Sequence, residues 1–327
     1  MDGPLVVELA SSPGPSYSVG DAPWSDPRAI GNRLSPGTRL ADLCPSRMRQ
    51  VTYFEPPSLA RMRPLADLRR LSRFADLFRT LSIHRIKVRY KQSRVGALWA
   101  VLQPLSMMIV FTLMFSFIGG VPTQGVAYAL FAYAGLLPWT AFSSGLSSAS
   151  GSLTAHASLL TKVAFPREIL PATYVVAALV DLAIGSIALA ALMIWYQVAL
   201  TWTALWAVAS VALLALFLVA AGLLVSAVQV RYRDVGLAMP VILQIWMFAT
   251  PVLYPLDAAR RALSPPLHFL YLLNPMAGIV DTFRRGLILQ QQPDLQALTV
   301  SAAVVAMILP AAYVYFKFAD LTMADVV

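Results

Sequence analysis

Residues 202–228 have the sequence WTALWAVASVALLALFLVAAGLLVSAV, which contains no charged side chain. A helix of about 20 apolar residues is long enough to cross the hydrocarbon core of a bilayer, which is about 30 Å thick. This stretch therefore predicts a transmembrane helix. A compact charged turn, Arg231 to Asp234, follows it directly. Long apolar runs separated by short polar turns recur along the chain, and they predict an all-α integral membrane protein.

The composition agrees with lipid as the main solvent of this chain. Hydrophobic residues make up 58% of the sequence, charged residues make up 13%, and the mean hydropathy is +0.67. Soluble domains are usually about 45–50% apolar and about 25% charged. The net charge is +9, and residues 1–94 hold 16 Lys and Arg against 8 Asp and Glu. Such a basic segment beside apolar spans predicts a cytoplasmic face near anionic lipid. Nucleic-acid binding is the alternative, but no nucleic-acid motif accompanies the charge.

Six transmembrane helices are predicted outward from the quoted stretch. Their approximate bounds are residues 97–118, 128–148, 169–195, 202–228, 235–253 and 298–316. Between the last two, residues 255–295 contain two apolar runs that are too short to cross and are split by Asn274 and Pro275. Short broken segments predict a re-entrant pair of outer helices, which is tolerated where protein surrounds it.

The distribution of basic residues predicts the orientation. With both termini in the cytoplasm, the basic turns lie inside and the short loops at 119–127 and 197–201, which carry no charge, lie outside. The exceptions are Arg260, Arg261, Arg284 and Arg285, which a re-entrant unit would partly neutralise with Asp257 and Asp281.

Four regions follow from this organisation. Residues 1–60 are rich in Pro, Ser, Gly and Arg and predict a disordered cytoplasmic tail. Residues 61–94 predict an amphipathic interface helix, because apolar residues recur at spacings of three and four between basic ones; a soluble helix packed on a partner is the alternative. Residues 95–318 form the six-helix transmembrane domain, and residues 319–327 form a cytoplasmic C-terminal tail.

Catalytic and metal sites are not predicted. The single cysteine, Cys44, excludes an intrachain disulfide and a multi-cysteine metal site. The sequence has no G-x-x-x-x-G-K-[ST] loop, no H-E-x-x-H and no G-x-S-x-G. The three histidines, His84, His156 and His268, lie far apart in the chain. We therefore expect no cofactor on this chain.

Two features inside the spans leave alternatives open. Asp181 lies near the centre of the third span, where a charge is costly. It serves either as a hydrogen-bonding group between helices or as a proton relay or substrate contact. Aromatic residues also cluster in the first spans. They form either an interfacial belt and core or the lining of a path for sugar rings, for which the candidates are Phe111, Phe115, Phe131 and Tyr133.

Several short stretches together resemble the permease subunit of bacterial type-2 polysaccharide ABC exporters, which move O-antigen, capsule, teichoic acid or galactan chains. The match covers about residues 75–327. The stretches are IKVRYKQS at 86–93, Gly96 with LWAVLQP at 98–104, FAYAGLLPW at 131–139, TKVAFPR at 161–167, VRYRDV at 230–235, ATPV at 249–252, LNPM at 273–276 and ADVV at 324–327.

The resemblance implies a location in the bacterial cytoplasmic (inner) membrane. It also implies a homodimer that forms a channel and two copies of a separate cytoplasmic ATPase, which would bind ATP and Mg. The expected cargo is a polysaccharide on polyprenyl diphosphate. Its anionic head would contact the basic residues of the interface helix, although anchoring to membrane lipid headgroups is the alternative role. These residues are Arg85, Lys87, Arg89, Lys91 and Arg94.

The interface helix and the 150–166 segment are expected to contact the ATPase. The coupling candidates are His156, Leu159, Leu160, Lys162 and Arg167. Simple positive-inside anchoring is the alternative for the two basic members. Three other functions stay open: a proton-coupled secondary transporter with Asp181 as relay, a membrane transferase acting on lipid-linked sugars, and an exporter of a small lipid or drug.

Overall fold

The computed structural model describes residues 74–91, 96–118, 123–157 and 165–326. All of them belong to one compact unit, Leu59–Val327. The predicted disordered tail and the first part of the predicted interface helix lie outside the described residues. Within the described ranges, every regular element is a helix, so the all-α prediction is confirmed there.

In the described ranges up to residue 248, six helices have ten or more residues: α1 Ala75–Lys91, α2 Trp99–Ile118, α3 Tyr128–Ser150, α4 Ile169–Trp195, α5 Ala204–Arg231 and α6 Asp234–Phe248. Three short helices follow: α7 Leu256–Ala262, α8 Pro265–Leu272 and α9 Pro275–Arg284. A π-helical turn, Arg285–Leu289, leads to the last helix, α10 Leu295–Val326.

Among the residues that the structure describes, four helical segments are long and apolar enough to cross a membrane: Gly96–Phe115, Ile169–Trp195, Ala204–Arg231 and Leu295–Asp320. The other two predicted spans differ for separate reasons. α3 is long enough, but Tyr, Thr and several Ser side chains lower its hydropathy. α6 is apolar but has only 15 residues.

The core is built around α3, which packs against α2, α4, α5, α6 and α9. An aromatic cluster joins it to α5 and α6. The rings of Phe142 and Phe217 stack at 5.2 Å between centroids, and Trp246 meets Phe142 edge-on at 5.2 Å. These separations are within the favourable range for aromatic pairs. Gly145 lies against Ala178 and Leu218 at the helix crossing, and small residues let membrane helices approach closely.

The ends of two predicted spans differ from the structure. The fifth was expected to reach residue 253, but α6 ends at Phe248. The carbonyls of Pro251 and Val252 instead accept hydrogen bonds from the guanidinium of Arg284, so these residues do not continue the helix. The last span was expected to end near 316 with a separate tail from 319, whereas α10 continues to Val326.

The predicted break at Asn274 and Pro275 coincides with the start of a helix. Asn274 caps α9, its Oδ1 accepting from the backbone N–H of Met276 at 3.1 Å, and Pro275 occupies the first turn, where no N–H donor is needed. A second device turns the chain between α1 and α2. Gly96 has φ of +56°, a conformation that glycine adopts without steric strain.

Candidate functional site

Asp181 on α4 has two partners on α1, a helix that precedes it by about 90 residues. Its Oδ2 lies 2.7 Å from Nη1 of Arg89, and the Tyr90 hydroxyl donates to its Oδ1. Burial raises the pKa of Tyr90, and the bond to the carboxylate raises it further, so the phenol remains a protonated donor. The structure therefore gives the intramembrane acid a basic partner that the sequence did not reveal.

Arg85, one turn before Arg89, connects α1 to Tyr174 on α4 and to His156. Its guanidinium lies 4.1 Å from the centroid of the Tyr174 ring on α4, and its Nη2 lies 2.7 Å from Nε2 of His156. Nδ1 of His156 lies 2.8 Å from the Ser152 carbonyl, which can only accept. His156 therefore donates from Nδ1, and its Nε2 accepts from Arg85.

The contacts along α4 show how α1 is placed. Tyr174 and Asp181 are seven residues apart, which is about 10 Å along the helix axis. Their partners Arg85 and Arg89 follow in the same order along α1. The helix α1 therefore runs parallel to the first half of α4 and beside it. Of the other predicted headgroup residues, Lys87 and Lys91 are exposed, and Arg94 lies outside the described residues.

The predicted coupling residues fall into two groups. Leu159, Leu160 and Lys162 lie outside the described residues. Arg167 forms an ion pair with Asp320 of α10 at 3.0 Å and donates to its carbonyl at 3.0 Å. Next to it, Glu168 pairs with Lys317 at 2.7 Å. These two pairs fix the beginning of α4 to the end of α10.

The four aromatic candidates for a sugar path separate in the structure. Phe131 and Tyr133 are fully buried inside the chain. The guanidinium of Arg284 lies 3.8 Å from the Phe131 ring centroid, and the Tyr133 hydroxyl donates to the Gly185 carbonyl at 3.0 Å. Neither ring offers a surface in this conformation, so neither is part of the path proposed below. Phe111 and Phe115 on α2 are half-buried.

A polar groove lies between α2, α3 and α6, and sequence reasoning missed it. This cavity of about 140 Å³ is lined by Gln103, Thr140, Ser143 and Gln244, together with apolar neighbours. Gln103 and Gln244 are exposed, although both lie within apolar helices. Hydroxyl residues at 140, 143, 144 and 147 share one face of α3 by helical spacing, and this signal could have revealed the groove.

Arg284, at the end of α9, is fully buried against the break after α6. Its Nη2 donates to the carbonyls of Pro251 at 3.1 Å and Val252 at 2.5 Å. The adjacent Arg285 pairs with Asp281 at 2.7 Å and Asp257 at 3.2 Å. The predicted neutralisation by these two carboxylates is therefore confirmed for Arg285. Arg284 is instead stabilised by carbonyls and an aromatic face.

Residues 76–288 match the family model described as ABC-2 type transporter. The match extends from the first turn of α1 to the π-helical turn and includes Asp181, the polar groove and Arg284.

The chain belongs to the ABC-2 type transporter family.

Curated relatives of this ABC-2 transporter agree with the family. It is 30% identical over 251 residues to the O-antigen export system permease protein RfbA of Myxococcus xanthus, covering 76% of this chain and 95% of that protein. It is 26% identical to the RfbA permease of Klebsiella pneumoniae over 64% of this chain and 79% of that protein. It is 23% identical to the polysialic acid transport protein KpsM of Escherichia coli over 63% and 79% of the two chains.

Family membership and the four apolar helices make this ABC-2 transporter a multi-pass protein of the inner membrane. As a permease it is a transport subunit, consistent with the absence of a predicted catalytic site.

Proposed function

We propose that the chain is the membrane subunit of an ATP-driven exporter that moves a polysaccharide, carried on polyprenyl diphosphate, across the cytoplasmic membrane. The polar groove between α2, α3 and α6 carries this proposal, because hydroxyl and amide groups suit sugar hydroxyls and are poorly solvated by lipid. The names of the relatives, which refer to O-antigen and polysialic acid, support a glycan cargo. ATP and Mg would bind a separate ATPase.

The proposed topology has six spans, formed by α2, α3, α4, α5, α6 and α10, with both termini in the cytoplasm. α3 counts as a span despite its polarity because its neighbours enclose most of its surface. The short helices α7 to α9 form a re-entrant unit at the outer side. Within this unit, the buried Arg284 bonds to backbone carbonyls and Arg285 pairs with Asp281 and Asp257. Such internal partners are what non-spanning backbone at membrane depth requires.

A homodimer completes the path in this proposal. The groove lies at the margin of α2 and α6, which also expose large apolar side chains such as Leu113 and Ile245. Two copies placed with these faces together would join two grooves into one polar-lined channel. Each copy would bind one ATPase through α1 and the segment that includes His156.

The groove gives a direct test of the glycan path. We expect the double variant Gln103→Leu/Gln244→Leu to lower the export rate on the order of tenfold. Each substitution loses the hydrogen bonds of one side-chain amide to the sugar, and one such bond is worth about 1 kcal/mol. The matched control is Thr299→Val on α10, whose hydroxyl bonds only its own helix. Export of pulse-labelled glycan at equal protein level is the measurement. Unchanged export in the double variant would place the path elsewhere.

The Arg85–His156 contact gives a test of coupling. We expect His156→Ala to lower transport per ATP hydrolysed about fivefold or more in the complex, because α1 loses its charge-assisted bond to the coupling segment. ATP hydrolysis itself should persist. Thr154→Ala is the control, since this exposed hydroxyl bonds only the Gly151 carbonyl. A variant with a wild-type ratio of transport to hydrolysis would remove His156 from the coupling route.

The function itself is tested by deleting the gene and following the glycan. We expect the surface polysaccharide to disappear and its lipid-linked precursor to accumulate inside, with recovery on complementation. Normal surface glycan in the deletion strain would refute the cargo assignment. Export that survives loss of the ATPase but collapses with Asp181→Asn would instead favour the proton-coupled alternative. A lipid-linked sugar product formed by the purified chain without an ATPase would favour a transferase. If the deletion strain stopped exporting only a small lipid or drug, that molecule would be the favoured cargo.

A further inference from the structure

A second cavity, of about 210 Å³, lies where α1 meets the spans α2, α3 and α4. Its polar lining includes Arg89, Tyr90, Gln103, Thr140, Ser144 and Asp181. The indole of Trp99, which is largely exposed, forms part of its wall. The cavity therefore combines a cation, a phenol, an amide, hydroxyls and an aromatic face, which together can bind both a phosphate and a sugar.

The size of the cavity limits its occupant. Pockets for drug-sized ligands usually measure about 300–1,000 Å³, and one water occupies about 30 Å³ of liquid. This cavity is thus too small for an oligosaccharide and large for a few waters. One sugar ring inside the cavity, with a phosphate bound at its mouth, is the appropriate scale.

Arg89 is placed to bind an anion. Its side chain is 37% exposed, whereas that of Asp181 is 11% exposed. A guanidinium has five N–H donors, and the contact with Asp181 uses Nη1. Among the described residues, no second acceptor bonds the Arg89 side chain. The Tyr90 hydroxyl holds the other oxygen of Asp181, so the carboxylate is fixed on both sides and the guanidinium is held at the cavity mouth.

We propose that the Arg89 guanidinium, oriented by Asp181, binds a phosphate of the cargo's diphosphate, and that the adjoining hydroxyl and amide groups receive its first sugar. This inference rests on the proposed function and deepens it. Asp181 is a positioning residue here. It holds the Arg89 side chain in one orientation before the ligand binds, and its negative charge partly neutralises the guanidinium. A singly charged lipid headgroup therefore gains little, whereas a diphosphate gains from its higher charge and from parallel N–H···O bonds.

The location agrees with entry from the inner leaflet. Asp181 lies twelve residues after the first residue of α4, which is about 18 Å along the helix. α4 has 27 residues, so Asp181 is close to the midpoint of the helix, and its partners come from α1, which precedes the first span and lies on the cytoplasmic side in the proposed topology. Recognition at this depth concerns the lipid-proximal end of the cargo and not its repeating units. Export should therefore tolerate changes in the repeat unit more readily than loss of the diphosphate.

Binding to the purified full-length chain in nanodiscs tests the site. The probes are inorganic pyrophosphate and a short-chain prenyl diphosphate that carries one sugar. We expect Arg89→Gln to weaken binding of both probes on the order of tenfold or more. Asp181→Asn should weaken it several-fold although Arg89 is present, and Asp181→Glu should restore most of the affinity. Arg79→Gln, an exposed arginine on the same helix, is the control and should bind normally.

Two further arms separate the proposal from its rivals. Nanodiscs of phosphatidylcholine alone are compared with discs that contain phosphatidylglycerol; abolition of probe binding by phosphatidylglycerol would assign Arg89 to lipid headgroups and overturn the proposal. The exchanged pair Arg89→Asp/Asp181→Arg keeps the salt bridge but moves the cation. We expect it to melt near the wild type and to have lost probe binding. Wild-type binding by this variant would leave the pair a structural role only.

The single variants give the remaining contradictory outcomes. Wild-type affinity in Asp181→Asn, or equal weakening in Arg79→Gln and Arg89→Gln, would overturn the site. If probe binding follows the expected order but no glycan is exported by the complex, the site stands and the proposed function fails. If export proceeds normally in Arg89→Gln, the function stands and the site fails.

Discussion

Arg284→Ala is expected to destabilise the chain far more than replacement of an exposed arginine. The guanidinium is fully buried, donates to the carbonyls of Pro251 and Val252, and lies on the face of Phe131. Removing it leaves these carbonyls without their donor in a site that water cannot easily reach. Each buried carbonyl left without its donor costs about 1–3 kcal/mol of unfolding free energy.

The measurement is the thermal midpoint of the purified chain in detergent, with Arg261→Ala as the matched control. Arg261 is exposed, and its Nε donates to the Asp257 carbonyl. Its replacement should change stability by less than about 0.5 kcal/mol. Equal midpoints for the two variants would show that the bonds from Arg284 to the Pro251 and Val252 carbonyls do not stabilise the fold.

Gly135 offers a second approach to the same contact. A Cβ at this position would overlap both Nη2 of Arg284 and the carbonyl oxygen of Val252. Gly135→Ala should therefore displace the guanidinium and destabilise the chain, although alanine is the better helix former. Because both changes remove one contact, Gly135→Ala/Arg284→Ala should be less harmful than the sum of the single variants. Additive losses would mean that Gly135 acts through another neighbour.

The second large effect is expected at Lys317, which pairs with Glu168 at 2.7 Å. The Glu168 side chain is 6% exposed, and its Oε2 has no hydrogen-bond partner among the described residues. Lys317→Met would leave this carboxylate buried without a counter-ion. We expect a loss of about 2 kcal/mol, less than for a fully enclosed pair because Lys317 is 20% exposed.

The rescue distinguishes this pair from simple loss of packing. Glu168→Gln/Lys317→Met removes the stranded charge and should recover most of the lost stability. Arg79→Met removes an exposed cation and should have little effect on the thermal midpoint. A double variant as unstable as the sum of its single changes would show that the ion pair does not explain the effect of Lys317.

The long spans could be predicted from the sequence because the bilayer sets a minimum length of apolar helix. α4, α5 and α10 follow from that rule alone. The break before α9 could be located for a related reason, since Asn274 and Pro275 form a cap and a first turn by local chemistry. Where length or local backbone chemistry decides, the sequence is sufficient.

The packing of the spans could not be predicted in the same way. In an all-apolar helix, the side chains that face protein and those that face lipid have similar character. Phe131 and Tyr133 could therefore be assigned from the sequence either to the core or to a path, and the structure buries both inside the chain. The partnership of Asp181 with Arg89 joins residues 92 positions apart, and no local pattern indicates it. The polar groove was closer to predictable, because hydroxyl and amide side chains are conspicuous among apolar ones.

Transport in proteoliposomes tests the central claim most directly. The chain and its ATPase are reconstituted with a labelled glycan on polyprenyl diphosphate, and the label that reaches the far side of the membrane is measured after addition of ATP and Mg. The account predicts translocation that requires ATP, the ATPase and this chain together, and that is lost without the diphosphate. Translocation driven by a proton gradient without ATP would contradict the account. Transport of a small lipid or drug without transport of the glycan would contradict it as well.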